Sequence, residues 1–153
     1  MKCFFAGVVF VVAFFCNAPA AAGMPYLAAE PALNQQLDWN LMPNGLLCVD
    51  YDRDGNGKAD FHTLRIVVRA FYSLDTIYTV TKNNPRNLIF FVGNAKVKFY
   101  YVAVLAPLLY AIDINEDGHW DLIYKDVSQD GVNGNEQFYD SPSGMFAPNI
   151  QYF

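Results

Sequence analysis

From Gly45 onward the apolar residues fall in short blocks separated by turn residues, and a helical period is nearly absent. Leu46–Tyr51 and Phe61–Tyr72 are rich in Val, Leu, Ile and aromatic residues, and Thr76–Thr81 alternates β-branched and aromatic positions. All three read as strands. Asn83-Asn84-Pro85-Arg86-Asn87 reads as a turn. Leu88–Val92 and Lys96–Val104 flank Gly93-Asn94, a hairpin signal. Pro107 then separates Leu108–Ile114 from what precedes it, and Leu122–Lys125 closes the series. The pattern predicts an all-β, mainly antiparallel fold, a small sandwich or half-open barrel of about six to eight strands.

The amino-terminal residues carry a different pattern. Met1 and Lys2 give a short positive start, Cys3 to Cys16 is uninterruptedly apolar, and Asn17-Ala18-Pro19-Ala20-Ala21-Ala22-Gly23 supplies small residues. That is the layout of a secretory signal peptide, cleaved after Ala20 or Ala22. The apolar run is shorter than the roughly 20 residues that span a bilayer. Residues 1–22 are therefore read as a signal peptide on a secreted or periplasmic protein, with no membrane span after cleavage. Residues 23–44, where Pro31 interrupts any helix between Leu27 and Met42, read as an arm or linker before a β domain at 45–153. The terminal Gln151-Tyr152-Phe153 resembles the end of an outer-membrane strand, but Ala147, Asn149 and Gln151 would then face lipid.

Charge adds a second pattern. The chain has 10 Lys and Arg against 15 Asp and Glu, and loss of Lys2 leaves nine against fifteen, a net −6. No basic run is present, which argues against nucleic acid or an anionic membrane surface as partner. Twelve of the fifteen carboxylates lie in Asp50–Asp60 and Asp113–Asp140, and such clustering points to a bound cation. Only Cys48 survives cleavage, so no internal disulfide forms, and its apolar neighbours mark it as a buried small residue.

The two clusters share one spacing. In Asp52-Arg53-Asp54-Gly55-Asn56-Gly57-Lys58-Ala59-Asp60 side-chain oxygens recur at positions one, three, five and nine, with Gly at six. Asp113-Ile114-Asn115-Glu116-Asp117-Gly118-His119-Trp120-Asp121 repeats every ligand position. Calcium takes about six to eight oxygens, and a tight loop wraps it when alternate side chains point inward. Lys58 and His119, at position seven, would contribute backbone carbonyls, so their side chains are unconstrained. A third candidate, with Asp126, Ser128, Asp130 and Gly131, departs later: Gly134 falls at position nine, and Glu136 is the nearest carboxylate. Asp50 could open the first loop in a shifted register closed by Asp60.

Both main loops resemble the EF-hand-like, nine-position calcium loops of FG-GAP and VCBS propeller repeats, thrombospondin type 3 repeats and dockerin modules. The resemblance covers about twenty residues and implies Ca²⁺ at Asp52, Asp54, Asn56, Lys58 and Asp60, and at Asp113, Asn115, Asp117, His119 and Asp121. No Phe-Gly/Gly-Ala-Pro signature precedes the loops, and their 61-residue separation matches no propeller blade. A true EF-hand is disfavoured, because Thr63 and Tyr124 stand where its closing Glu belongs.

The residues expected for other chemistries are missing. Neither a Ser-His-Asp order, a Cys-His pair, a phosphate-binding Gly-rich loop nor a zinc spacing is present, and calcium does not seek the imidazoles of His62 and His119. The expected function is an exported, non-enzymatic protein whose β domain is stabilised by calcium at two sites, with a third in reserve. The alternatives are a calcium-dependent adhesion or carbohydrate-binding module, with an extracellular protein or glycan as ligand, and a small calcium-assisted hydrolase.

Overall fold

The computed structural model describes residues 26–27, 29–93 and 96–140. The expected signal peptide and the terminal Gln151-Tyr152-Phe153 lie outside them. Eight strands form one open, mainly antiparallel sheet: β1 Gln36–Leu41, β2 Leu46–Tyr51, β3 Phe61–Ser73, β4 Asn87–Gly93, β5 Lys98–Val104, β6 Leu109–Ile112, β7 Leu122–Lys125 and β8 Gln137–Asp140. The main order is β1-β2-β3-β6-β7-β8, and β5 branches from β3 carrying β4 on its far side. The all-β antiparallel expectation holds.

β3 makes the branching possible. Its first half pairs with β2 and with β6, and its second half, from Val67, pairs with β5. The register slips between Val67 and Arg69, where two steps along β3 oppose one along β5. Such a bulge bends a strand and increases its twist. The β4–β5 ribbon thereby reaches the side chains of β1: Trp39 lies 5.3 Å from the Phe90 ring and 5.8 Å from Tyr101, centroid to centroid. The contact is through side chains alone, so the sheet curls without closing.

Strand alternation gives the sheet two apolar faces. Leu47, Val49, Tyr51, Phe61, Tyr110, Ile112 and Tyr124 form the first, joined by Phe90 and Ala103 from the branch. Met42, Cys48, Leu64, Leu109, Ala111 and Ile123 form the second. Burial of both faces explains why β2 and β6 read as nearly continuous apolar runs rather than clean alternations.

Two segments differ from the sequence reading. Thr76–Thr81 was expected as a strand but lies in a short helix, α1 (Ile77–Asn83). Thr76 caps it, its Oγ1 accepting from the Thr79 N–H at 3.3 Å, and the Asn84 side chain donates to the Val80 carbonyl at 2.8 Å. Those caps and the burial of Val80 outweigh the β preference of its Thr, Ile and Tyr residues, which is a weak and context-dependent bias. Residues 36–41, read as part of an arm, form edge strand β1 on β2. The segment before them is also fastened: Asp52 N–H donates to Gln35 O at 2.9 Å, and Arg53 Nη1 to Tyr26 O at 3.0 Å.

The strongest fastening is Glu30. Its carboxylate meets the Nη2 of Arg65, which is fully buried on β3, and accepts from Tyr51 Oη at 2.6 Å. Arg65 Nη1 donates to the carbonyl of Leu105, leaving the Arg65 Nε and Thr63 Oγ1 as buried atoms without a partner among the described residues. Burial, and then the Glu30 hydrogen bond, push the Tyr51 phenol up to about 12. A raised acid adds stability that is intact below the unfolded value of about 10 and is lost as pH climbs through the folded one. Alkaline unfolding should therefore set in between about pH 10 and 12, with tyrosinate absorbance rising together with loss of structure. In Tyr51→Phe the slope of stability against pH in that window should flatten. Titration of every tyrosine near pH 10 in a folded protein would refute the assignment.

Candidate metal centre

The first two acidic loops are hairpin connections on one edge of the sheet. Tyr51, Phe61, Ile112 and Leu122 are successive partners across β2, β3, β6 and β7, so loop 52–60 and loop 113–121 leave the same row side by side. Each closes the same way, with the position-nine N–H donating to the residue before the loop: Asp60 to Tyr51 O at 3.0 Å and Asp121 to Ile112 O at 2.8 Å. The third loop, 126–136, joins β7 to β8 at the opposite end, where Leu109, Lys125 and Gln137 are partners.

Within the two side-by-side loops the hydrogen bonds correspond position by position. The position-one carboxylate accepts from the amides at five and six: Asp52 from Asn56 and Gly57, Asp113 from Asp117 and Gly118. The position-three oxygen accepts from five: Asp54 from Asn56, Asn115 from Asp117. The position-five oxygen accepts from seven, Asn56 from Lys58 and Asp117 from His119, both at 2.9 Å. The position-nine carboxylate reaches back to two: Asp60 accepts from Arg53 N–H at 2.9 Å, Asp121 from Ile114 N–H at 2.7 Å. The side-chain oxygens are thus turned into each loop, and its amides hold them there.

The third loop shares one bond of this arrangement, its position-one carboxylate accepting from the amide at six. Asp126 accepts from Gln129 at 2.6 Å and Gly131 at 2.9 Å, and Ser128 Oγ bridges toward Asp126 and Asp130. Its backbone agrees too: φ at position six is +90°, +87° and +90° for Gly57, Gly118 and Gly131, and at position four +79°, +57° and +54° for Gly55, Glu116 and Gln129. A left-handed φ at position six is why glycine stands there in all three. The second half diverges, with Glu136 accepting from Asn133 at 2.7 Å and Gly134 at 2.9 Å.

Electrostatics separates the loops. The opening carboxylates are buried, Asp52 at 8 %, Asp113 at 1 % and Asp126 at 0 % exposure. Backbone hydrogen bonds, above all that from Gly57, hold the Asp52 carboxyl below its ordinary value. In the first loop Asp60 is also paired with Arg53 Nε at 3.0 Å. The second loop holds Asp113, Glu116, Asp117 and Asp121 with no Lys or Arg of its own. Glu116 borrows both its partners from the first loop, accepting from Asn56 Nδ2 at 2.6 Å and facing Lys58 Nζ at 3.7 Å. The second loop thus gathers four carboxylates within nine residues.

Asp50 stands apart from these loops. Its Oδ1 lies 2.8 Å from His62 Nδ1 and 3.4 Å from Cys48 Sγ, on the sheet face opposite Tyr51 and Phe61. That placement turns the Asp50 carboxylate toward Cys48 and His62 rather than into the first loop. Among the described residues, Cys48, Asp50 and His62 are the one group of three such side chains whose ligand atoms all lie within 4.8 Å of one another. The loop carboxylates are spread more widely than this.

Nothing in the spacing along the chain announces this trio, because Cys48 and Asp50 reach His62 through the pairing of Asp50 with His62 across β2 and β3. No protein family, curated protein or solved structure matches this chain.

Proposed function

We propose that this is an exported, non-enzymatic protein in which calcium, bound at Asp52–Asp60 and Asp113–Asp121, stabilises a small β domain, with Asp126–Glu136 as a weaker third site. One observation carries the reading: two loops 61 residues apart repeat the same backbone-amide-to-side-chain-oxygen hydrogen bonds at positions one, three, five and nine. A solvated turn has no need to orient four oxygens alike twice. The buried Asp113 supports it further, since a buried charge held only by amides is costly without a counter-ion.

The sites of the two tryptophans favour a structural role over sugar stacking. Trp39 packs on Phe90 and Tyr101, and Trp120 lies 5.4 Å from the His62 ring. The most exposed aromatic residues, Tyr72 and Tyr78, belong to the far end of β3 and to α1 rather than to the loops.

Calorimetric titration tests the reading directly. Calcium should bind with two stronger equivalents and one weaker. Gly118→Ala should weaken one of the stronger two by about tenfold, because its φ of +87° is strained for a side chain by about 1–2 kcal/mol while no atom lies within 4 Å of the added methyl. The absence of any binding heat at millimolar calcium would sink the proposal.

A further inference from the structure

The trio Cys48, Asp50 and His62 is used by no part of the calcium reading, and its chemistry differs from that of the loops. It joins one sulfur, one nitrogen and one oxygen on adjacent antiparallel strands, all on one sheet face. Calcium has no use for the first two. The equivalent positions in the β6–β7 hairpin, counted from each loop's first aspartate, are Leu109, Ala111 and Ile123. Those are buried apolar residues on the same face. The hairpin scaffold therefore packs without polar groups there, and the polar trio in β2–β3 is an addition to it.

We propose that Cys48 Sγ, Asp50 Oδ1 and His62 Nδ1 form a binding site for zinc or a similar borderline-soft divalent cation, separate from the calcium loops. Zinc–ligand bonds of about 2.3 Å to sulfur and about 2.0–2.2 Å to nitrogen and oxygen, at tetrahedral angles, put a sulfur and an oxygen ligand about 3.6 Å apart, and a nitrogen and an oxygen about 3.4 Å apart. The corresponding separations here are 3.4 Å and 2.8 Å. The first already fits, and the second is a hydrogen bond that widens by about half an ångström when a metal ion replaces its proton.

The proton balance is simple. Asp50 binds as a carboxylate. His62 moves its ring proton to Nε2 so that the Nδ1 lone pair faces the metal. Cys48 loses its thiol proton to solvent, so one proton leaves for each ion bound to neutral His62. Cys48 is buried, but the Asp50 side chain keeps 23 % exposure and gives the ion a way in. Three protein ligands leave the fourth position to water. Trp120, against the His62 ring, covers the imidazole on one side.

Cobalt(II) serves as the spectroscopic probe, added to the reduced full chain with calcium in excess so that the carboxylate loops stay filled. One equivalent should give a thiolate-to-cobalt charge-transfer band and tetrahedral d–d bands, and zinc should displace both. Cys48→Ala should abolish the charge-transfer band. His62→Gln retains the thiol and should weaken zinc by a hundredfold or more in competition with a chromophoric chelator, exceeding the 10–100-fold typical of outer-shell partners. The His62→Gln arm decides the matter if Cys48→Ala fails to fold, which circular dichroism reveals. A wild-type chain that shows no thiolate band at stoichiometric cobalt overturns the proposal. So does a folded His62→Gln chain that binds zinc as tightly as wild type.

Discussion

Chelating calcium is expected to lower the melting midpoint of this protein by about 15 °C. A ligand that binds only the native state stabilises it by about 2.7 kcal/mol per site at a hundredfold excess over its dissociation constant. Two sites then supply about 5 kcal/mol, and a domain of this size shifts by about 3–4 °C for each kcal/mol. The loss has an identifiable location. Without a cation, Asp113, Glu116, Asp117 and Asp121 crowd one nine-residue loop that has no Lys or Arg of its own and faces Lys58 of the adjacent loop. Magnesium should restore little of the midpoint, because it demands a smaller octahedral cage and gives up its waters reluctantly. Thermal scans in calcium, magnesium and chelator measure all three states. An unchanged midpoint in chelator would remove the structural role assigned to calcium.

The second large effect concerns a residue far from the loops in sequence. Glu30→Ala should destabilise the fold by about 3 kcal/mol, the lower end of what is lost when one partner of a buried ion pair is removed. Arg65 is fully buried, and its Nε already lacks a partner among the described residues. Taking away the carboxylate strands its Nη2 and also the Tyr51 hydroxyl, which donates to the same oxygen. The lower end applies because the Glu30 side chain keeps 29 % exposure, so water partly fills the gap. The double variant Glu30→Gln with Arg65→Met should lose much less, since it leaves no uncompensated charge inside. Urea denaturation at constant m-value provides the comparison. A loss below about 1 kcal/mol in Glu30→Ala would show that the pair is not what fastens residues 29–35 to the sheet.

These two cases show how unevenly the sequence disclosed the structure. β2 and β7 have the bounds that hydrophobicity alone indicated, and β3 starts at the residue expected, because each adjoins an acidic loop whose end is sharply marked. β1, Gln-Leu-Asp-Trp-Asn-Leu, carries few β-formers, and its place on the edge comes from partners on β2 that no local pattern announces. α1 was concealed by the reverse effect, strong β-formers overruled by caps. The inward-turned loop oxygens were legible because alternate Asp and Asn residues around a glycine are a local pattern with fixed spacing. Glu30 with Arg65, and Cys48 and Asp50 with His62, are encounters between separate segments, and spacing along the chain contains neither. The branch at Val67 was equally hidden, since a bulge needs two strands to be defined.

That branch decides how the molecule can come apart. Among the described residues β3 is the one strand with ladders to three others, to β2, β5 and β6. Peeling off β1 or β8 breaks one ladder, whereas freeing β3 breaks three and opens both apolar faces together. The edges can therefore fray while β3 remains the last element to yield, so the loop-bearing half and the β4–β5 ribbon share a single global opening. Stability gained at loops 52–60 and 113–121 is consequently felt at the ribbon, through β3.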